Sequence, residues 1–439
     1  MKIAYFSPLP PQRTGIADYS KELLPALVKC GVEADLWVDQ PATAAELPDC
    51  RIRNYAGEAG LRAELSKYDS VIYHMGNSPA HRNIYRTLLE TPGVVVLHDF
   101  VLHHFFASYY LEALRSPALY IDEMAYNYGI AGEELARTAL RGEQPIWEQE
   151  PVRYPLNKRV LDHARGVIVH SDFAGRLVHQ SHPHLPVAKV NLPVALEESA
   201  PPEDLRKRYG VPTGRVVIAS MGFGSSAKRI EMVLGALGAL DRNDILYLLV
   251  GEVGEAFRVE LRRRGLGDLV RSTGYVDWQT FNDYCNLIDL GIDLRYPTMG
   301  ESSASVCRML GAGKPCVVSN LGWFAELPGD CAVKLDVAAD EQALARSLLA
   351  LINDPTRRRA IGENARRYIR EHHNPERAAA QYVNFLNQVR LVEGRRVVER
   401  SIIEDTGRAM AEIGVGEDDS WLVGGVAAEI ASLFTASKG

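Results

Sequence analysis

Residues 295–315 read RYPTMGESSASVCRMLGAGKP and follow directly on the apolar run 290–294. This order predicts a buried strand, a loop, a short helix that begins among small residues, a Gly-Lys-Pro turn and a further strand at 315–319. In open parallel sheets, ligands bind beyond the carboxyl ends of the strands, in the loops that lead into helices. We therefore expect functional side chains in the loop that follows the strand 290–294.

Ser302, Ser303 and Ala304 fall where the predicted helix begins. Small side chains leave the first-turn N–H groups open to a phosphate. Glu301 precedes them and would repel a bare phosphate, so we expect it to bind sugar hydroxyl groups next to one. The alternative role of Glu301 is a charge that stabilises the helix N-terminus.

The same alternation of short apolar runs and helical segments extends in both directions. The runs are apolar almost throughout, which is typical of parallel strands covered by helices on both faces. The predicted strands are 2–6, 34–38, 70–73, 94–97, 166–169 and 189–194 in the first half, then 216–221, 245–250, 269–272, 290–294 and 315–319 in the second. The predicted helices are 16–29, 80–90, 101–114 and 156–163, then 230–240, 255–264, 280–286, 303–311, 341–352, 355–371 and 375–392.

The sequence thus predicts an α/β fold with two Rossmann-like doubly wound domains. A Pro-rich polar segment at 200–214 marks the boundary between them. We assign residues 1–195 with 376–439 to the first domain and 196–375 to the second. Residues 397–439 continue as amphipathic helix, interrupted at 414–419. We expect it to pack on the first domain, while peripheral membrane contact or homo-oligomer formation through these helices stays open.

Composition excludes several classes of function. The net charge of −7 disfavours a nucleic-acid binder. The six cysteines show no C-x-x-C spacing and no histidine partner at metal-ligand distance, so we expect no metal site. The chain shows no signal peptide and no apolar run of membrane-spanning length, and we expect a cytoplasmic protein without a cofactor.

Two other loops contain candidate ligand-binding residues. The Pro-rich loop after the first strand ends at Gly15, which lets a ligand approach a helix N-terminus. The loop after strand 216–221 contains Gly224 and ends in Lys228 and Arg229, a combination that suits a diphosphate. Neither loop has the G-x-G-x-x-G pattern or the G-K-[ST] ending of common nucleotide sites.

His98 and Asp99 follow the fourth predicted strand. We expect one of them to face the ligand and the other to cap the next helix. His103 and His104 are adjacent, so on a helix they point apart, and a structural role is favoured over metal binding.

On these residues the chain resembles the retaining glycosyltransferases of family 4, in the GT-B superfamily, over residues 1 to 390. The resemblance implies a nucleotide-diphosphate sugar donor on the second domain, an acceptor on the first and reaction in the cleft between them. It implies that Gly15 and Lys228 contact the diphosphate, His98 and Glu301 the donor sugar, and Tyr275 the base. It also implies retention of anomeric configuration.

Two positions depart from the pattern of that family. In the E-x7-E motif the second glutamate, which usually holds the ribose, is replaced by Arg308, and the first falls on Gly300 beside Glu301. The Gly-Arg pair that often precedes the diphosphate lysine is Gly222-Phe223, with Arg229 as a candidate replacement.

No two aspartates are separated by one residue, so the D-x-D metal motif of other glycosyltransferases is absent. We therefore expect a metal-independent transferase in which cations and helix N-termini neutralise the diphosphate. The acceptor is a glycan, a lipid-linked glycan or a small molecule. Two alternatives stay open. One is a non-catalytic subunit that binds a sugar nucleotide or glycan, which Arg308 at the second glutamate position suggests. The other is an epimerase or phosphorylase of the same fold.

Overall fold

The computed structural model describes residues 1–12, 14–39, 47, 50–55, 60–143, 145–197, 199–222, 226–415 and 419–435. The chain divides into two compact units, Met1–Tyr382 and Val383–Gly439. The larger unit holds two parallel β-sheets with helices between their strands.

The first sheet contains seven strands in the order β3-β2-β1-β4-β5-β6-β7. Its strands are β1 (Lys2–Phe6), β2 (Glu33–Val38), β3 (Arg51–Asn54), β4 (Ser70–Met75), β5 (Gly93–Leu97), β6 (Ala164–Val169) and β7 (Val187–Lys189). The helices are α1 (Gly15–Lys29), α2 (Leu61–Leu65), α3 (Arg82–Glu90), α4 (His103–Ala107), α5 (Pro117–Leu140), α6 (Lys158–Asp162) and α7 (Asp172–Ser181). A π-helical segment, Ser108–Ala113, extends α4.

The second sheet contains six strands in the order β10-β9-β8-β11-β12-β13. Its strands are β8 (Val216–Met221), β9 (Ile245–Val250), β10 (Val270–Gly274), β11 (Leu290–Asp293), β12 (Cys316–Ser319) and β13 (Ala332–Leu335). The helices are α8 (Pro202–Arg208), α9 (Ile230–Ala239), α10 (Glu255–Arg263), α11 (Trp278–Leu287), α12 (Ala304–Gly311), α13 (Glu341–Ile352), α14 (Pro355–His372), α15 (Pro375–Glu412) and α16 (Ser420–Thr435).

Local sequence explains where the helices begin. Thr14 caps α1, because its hydroxyl accepts a hydrogen bond from the Ala17 amide at 3.1 Å. Asp277, Asp340 and Asp354 cap α11, α13 and α14 in the same way. These short polar side chains satisfy amides that have no partner inside the helix.

In both sheets the strand order reverses beside the first strand of that sheet. The reversal lies between β1 and β4 in the first sheet and between β8 and β11 in the second. Ligands of doubly wound folds bind at such positions, beyond the carboxyl ends of the strands. The loops after these four strands are therefore where the functional site is expected.

The chain returns to the first sheet after α14. The Val194 amide donates to the His373 carbonyl at 2.8 Å. At the start of α15, the hydroxyl of Tyr382 lies 2.6 Å from that of Tyr19 on α1. The chain therefore crosses between the sheets twice, near residue 194 and near residue 374.

The predicted architecture of two doubly wound parallel α/β domains is confirmed, and most predicted elements are found within two residues of their predicted ends. The strand predicted at 189–194 is wrong, since β7 is Val187–Lys189. The edge strands β3 and β13 were not predicted. β3 reads Arg-Ile-Arg-Asn, which lacks the apolar pattern because it is largely exposed.

Three helices in the first half, α2, α5 and α7, were also not predicted. In α5, Gly129 has a φ of 64°, which interrupts the helical periodicity. The amphipathic α7 was missed, and α8 lies inside the segment that was predicted to be linker.

The smaller unit contains the rest of α15 and all of α16, and the interruption predicted at 414–419 lies between them; residues 416–418 are outside the described part. Arg395 stacks on the Phe434 ring at 5.5 Å. Large apolar side chains are exposed along this unit, among them Leu391, Ile413, Trp421 and Leu433. Within the described ranges, no helix has both the length and the apolar character that crossing a membrane requires.

Candidate functional site

The loop after β8 brings one cation to the carboxyl edge of the second sheet. Lys228 is buried, and its amine donates to the carbonyl of Met221, the last residue of β8. Burial lowers the pKa of Lys228 to about 8, with Asp293 nearby opposing the shift. A buried amine that is partly charged near neutral pH would gain strongly from a bound anion.

A second cation follows β11. The Arg295 guanidinium lies 3.5 Å from the Asp293 carboxylate and 3.4 Å from that of Glu301. Asp293 Oδ1 and Arg295 Nε nevertheless have no hydrogen-bond partner among the described residues. Because these buried polar atoms are incompletely satisfied, the cluster can accept or donate further bonds to a ligand.

Helix α12 begins beside this cluster. The Ser303 hydroxyl donates to Asp293 Oδ2 at 2.8 Å and accepts from the Val306 amide at 3.3 Å, which caps the helix. The amides of Ala304 and Ser305 bond to no other described residue. Two amides at the start of a helix therefore remain open to an anion.

The Glu301 carboxylate organises the loop in front of α12. It accepts from the Thr298 hydroxyl at 3.0 Å and from the Met299 amide at 2.7 Å. It is partly exposed, with 17% of the side chain accessible. Its predicted contact with sugar hydroxyls stays a prediction, and the structure adds that it positions the 298–300 turn.

Loops of the two sheets meet at this place. The Val101 amide donates to the Met299 carbonyl at 2.9 Å, and the Ser302 hydroxyl donates to the His170 carbonyl at 3.3 Å. Gly300 has a φ of 74°, and a Cβ there would lie 2.5 Å from the Cβ of Phe100. The carboxyl edges of the two sheets are therefore in direct contact beside the candidate site.

Three histidines form a chain on the side of the first sheet. His74 Nδ1 lies 2.9 Å from His98 Nε2, and His98 Nδ1 lies 3.2 Å from His170 Nε2. His170 Nδ1 lies 2.8 Å from the carbonyl oxygen of Val190. The ring of Tyr19 packs edge-on against His98, with ring centroids 4.8 Å apart.

The donors and acceptors of this chain can be assigned. Burial lowers the pKa of all three rings, that of His170 to about 4, so they are neutral at neutral pH. A carbonyl only accepts, so His170 Nδ1 carries the proton and its Nε2 accepts from His98 Nδ1–H. His98 Nε2 then accepts from His74 Nδ1–H, and His74 Nε2 is left buried without a partner.

This assignment bears on the predicted contact between His98 and the donor sugar. Both ring nitrogens of His98 are already bonded to other histidines. A hydrogen bond from the ring to a ligand would require one of these bonds to break. The contact stays a prediction.

Asp99 does not cap the next helix, contrary to one expectation. Its Oδ2 accepts from the Asn77 amide at 2.8 Å. The start of α4 is bonded instead by Asn77, whose Oδ1 accepts from the Phe105 amide at 2.9 Å. Asp99 precedes the helix by four residues, which is too far for a cap. Burial and the nearby Glu301 raise the pKa of Asp99 to about 6, although the bond from Asn77 opposes them.

His103 and His104 both bond to protein groups, and their structural role stays a prediction. His103 is buried between the Tyr154 carbonyl at 3.0 Å and the Tyr120 hydroxyl at 2.7 Å. His104 lies 3.0 Å from a Glu148 carboxylate oxygen and 3.0 Å from the Asn77 side-chain nitrogen. Over the described residues, no group of three histidine, cysteine or acidic side chains is placed to hold a metal ion.

The other predicted donor residues differ in position. A Cβ at Gly15 would meet nothing within 4 Å, which leaves the start of α1 open, and Tyr275 is 48% exposed. The guanidinium of Arg229 donates to the carbonyls of Val337 and Ala339, so it is not available to replace the missing arginine. Gly224 lies outside the described residues.

Arg308 does not face the candidate site. Its guanidinium pairs with Glu22 on α1 at 2.8 Å and lies 3.8 Å from the Trp278 ring centroid. An arginine that is used in this way cannot substitute for a glutamate that holds a ribose, and ribose binding would need other groups.

Sequence reasoning missed Asp293, Arg295 and His170. Arg295 lies in the stretch 295–315, but no role was predicted for it. Asp293 and His170 lie at or just beyond the ends of predicted strands, so a search for charged residues and histidines at strand ends could have found them.

Part of the chain matches a known protein family. Residues 202–368, which contain the second sheet, match the family described as Glycosyl transferases group 1. Among curated proteins, no sequence matches the chain significantly.

Solved structures match most of the chain. Sucrose-phosphate synthase from Thermosynechococcus elongatus has a TM-score of 0.66 at 16% identity, over 89% of this chain and 99% of that chain. HepE from Anabaena, in complex with UDP and glucose, has a TM-score of 0.62 at 15% identity, over 88% and 100%. WaaG, a glycosyltransferase involved in lipopolysaccharide biosynthesis, has a TM-score of 0.58 at 15% identity, over 86% and 98%.

Identities this low establish the fold alone. The chain has the GT-B fold, and its residues 202–368 match the glycosyl transferases of group 1.

Proposed function

We propose that this chain is a glycosyltransferase that moves a sugar from a nucleoside-diphosphate sugar to an acceptor. One observation carries the proposal: Lys228, Arg295 and the open amides of Ala304 and Ser305 converge at the carboxyl edge of the second sheet. Two cations and a helix N-terminus suit a diphosphate. The match of residues 202–368 to glycosyl transferases of group 1 supports the same assignment.

Transfer from such a donor needs little covalent chemistry from the protein. A diphosphate leaves readily once its developing charge is neutralised, and the oxocarbenium-like transition state needs positioning and a fixed electrostatic environment. Lys228, Arg295 and the α12 amides would supply that charge stabilisation without a metal. Glu301, in front of them, would bind sugar hydroxyls.

Retention of configuration is the stereochemical part of the proposal. The bond between the anomeric carbon and the phosphate oxygen would break, and the acceptor oxygen would bond to the same face of that carbon. The leaving phosphate oxygen would take the acceptor proton. The motive is that the sequence offers no evident carboxylate nucleophile on the acceptor side, and that the Asp99 carboxylate accepts from the Asn77 amide.

The donor would lie on residues 196–375 and the acceptor on the first domain, with a glycan, a lipid-linked glycan or a small molecule as acceptor. The half-exposed Tyr275 would contact the base. HepE was solved with UDP and glucose, so uridine donors are the first to test. All six cysteines are free thiols, and we place the reaction in the reducing cytoplasm.

A second candidate is a non-catalytic subunit that binds a sugar nucleotide. The observation that favours it is the Arg308–Glu22 ion pair. Arg308 stands at the motif position of the glutamate that usually holds the ribose, and it pairs with Glu22 instead. This candidate predicts donor binding without transfer or hydrolysis.

A thermal-shift screen tests the proposal. UDP, GDP, ADP, TDP and CDP and their common sugars would be added with and without EDTA. A shift from one nucleotide that EDTA does not change supports the metal-independent donor site, because a ligand of the folded state stabilises it by mass action. Release of free nucleotide from the matching sugar donor then separates the transferase from the binding subunit. No shift from any nucleotide would contradict both.

A further inference from the structure

A cavity of about 800 Å³ lies away from the candidate donor site. Its walls include the segment around Val194–Leu196 that links the sheets, and its floor includes Lys314 in the turn before β12. Since β8, β11 and β12 are parallel, Lys314 lies at the amino edge of the second sheet. The donor loops follow the carboxyl ends of the same strands, so the cavity is at the opposite edge.

Three cations line this cavity: Lys314, and Arg366 and Arg370 one turn apart on α14. None of their side-chain nitrogens bonds to another described residue. Lys314 is partly buried, and desolvation lowers its pKa to about 8 despite the nearby Asp289. Lys314 has no direct ion-pair partner among the described residues, so a bound anion would offset part of its desolvation.

The two carboxylates at the rim are already engaged. Glu197 accepts from the Trp278 indole N–H at 3.3 Å and from the Asn282 amide nitrogen at 3.2 Å. Glu376 pairs with Lys29 at 3.5 Å. Neutral donors leave the charge of Glu197 in place, but the three cations still outnumber the two carboxylates, so the lining keeps a net positive charge and N–H donors for a ligand.

We propose that this cavity is a binding site for a phosphate-bearing anion. Two arginines at i and i+4 and a lysine below them can contact several oxygens of one phosphate or pyrophosphate group. The wall that links the sheets near residue 194 and the start of α15 near residue 374 are the two crossings of the chain. An anion bound here would therefore contact both segments that connect the two sheets.

Calorimetric titration with inorganic phosphate and with pyrophosphate tests the site on the full chain. Arg366→Gln and Arg370→Gln each remove one charge from an exposed position, so they should fold. We expect each to weaken binding at least tenfold, as loss of a charge-assisted hydrogen bond does. Arg359→Gln on the same helix, exposed and outside the cavity, is the matched control and should bind like the wild type.

The source of the phosphate is resolved by a second arm. Co-sedimentation with phosphatidylglycerol vesicles, compared with phosphatidylcholine vesicles, detects a lipid headgroup, whereas calorimetry detects a free anion. Dependence of either signal on Arg366 and Arg370 supports the site. Equal binding by all four proteins, or no binding of phosphate, pyrophosphate or anionic vesicles, would overturn it.

Discussion

Arg308 of α12 and Glu22 of α1 form an ion pair at 2.8 Å that joins the two sheets, with only 6% and 5% of their side chains exposed. Glu22 also accepts from the Ala195 amide at 3.2 Å, in the segment between the sheets. Burial raises the pKa of Glu22 even though Arg308 lowers it. For the Glu22 carboxylate, desolvation therefore outweighs the attraction of Arg308, as is common for buried charges.

The first prediction concerns that pair. Arg308→Met leaves a buried carboxylate without its cation and should lower the free energy of unfolding by about 3–5 kcal/mol. The double variant Glu22→Met/Arg308→Met removes both charges and should recover most of that loss. Urea denaturation of both variants measures it, and a double variant no more stable than Arg308→Met would contradict the account.

The second prediction concerns Lys228. Its amine must be charged to bind a diphosphate, and its pKa is about 8. Affinity for the nucleotide that binds should fall as pH rises above 8, towards about tenfold per pH unit. Lys228→Gln should bind more weakly and without this pH dependence. Lys334→Gln is the control, since Lys334 donates to the Ala325 carbonyl away from the site. A wild-type affinity that is constant from pH 7 to 10 would count against the role of Lys228.

The third prediction concerns acid stability. Burial lowers the pKa of six histidines: those of His81, His103, His170 and His373 to about 4, and those of His74 and His98 well below the usual 6.5. The unfolded state takes up protons first as pH falls below 6.5, so stability is present above that pH and is lost towards pH 4. Each histidine contributes up to about 1.4 kcal/mol per pH unit.

Asp99 acts in the opposite direction, because its raised pKa lets the folded state bind a proton first below pH 6. Glu22, whose pKa burial also raises, acts in the same direction as Asp99, but two carboxyls cannot offset six histidines. Denaturation at pH 7, 6 and 5 should show a falling free energy of unfolding. Equal stability at pH 7 and 5 would show that these rings are not buried as neutral groups.

The fourth prediction concerns the tautomer of His98. Nitrogen chemical shifts at pH 7.5 should report a proton on Nδ1 of His74, His98 and His170. His170→Phe removes the acceptor of His98 Nδ1–H and should free His98 to adopt the other tautomer. His163→Phe, on a ring outside the chain that bonds to the Arg159 carbonyl, serves as the control. A proton on His98 Nε2 in the wild type would refute the assigned order.

The fifth prediction separates two effects of glycine at the contact between the loops. Gly300 and Gly214 have φ values of 74° and 78°, but only Gly300 faces a close neighbour. Gly214→Ala should cost about 1 kcal/mol from backbone strain alone. Gly300→Ala adds the clash with Phe100 and should cost more, by about 1–3 kcal/mol of overpacking. Equal losses in denaturation would show that the loop can move aside.

The sequence predicted the fold because the central strands are apolar almost throughout. β1, β8 and β9 were predicted residue for residue. β3 and β13 were not predicted because edge strands carry mixed polar patterns. α5 was not predicted because a glycine with positive φ interrupts it.

The site was harder to predict because its residues depend on pairing across the fold. Lys228 and the start of α12 can be read from one loop each. Arg229 and Arg308 looked equally suited to a ligand, yet each is occupied by a partner more than a hundred residues away in sequence. No local pattern reveals that a cation is already neutralised or bonded elsewhere.

The histidine chain has a direction, since the Val190 carbonyl sets which nitrogen of each ring carries hydrogen. A proton could travel along it only if all three rings exchanged their hydrogens in concert, and the carbonyl at one end cannot give one up. The chain is therefore a poor relay at neutral pH. It instead holds its rings in fixed orientations. The Val190 carbonyl, in the segment that leads to the other sheet, orients His170, and His170 in turn orients His98.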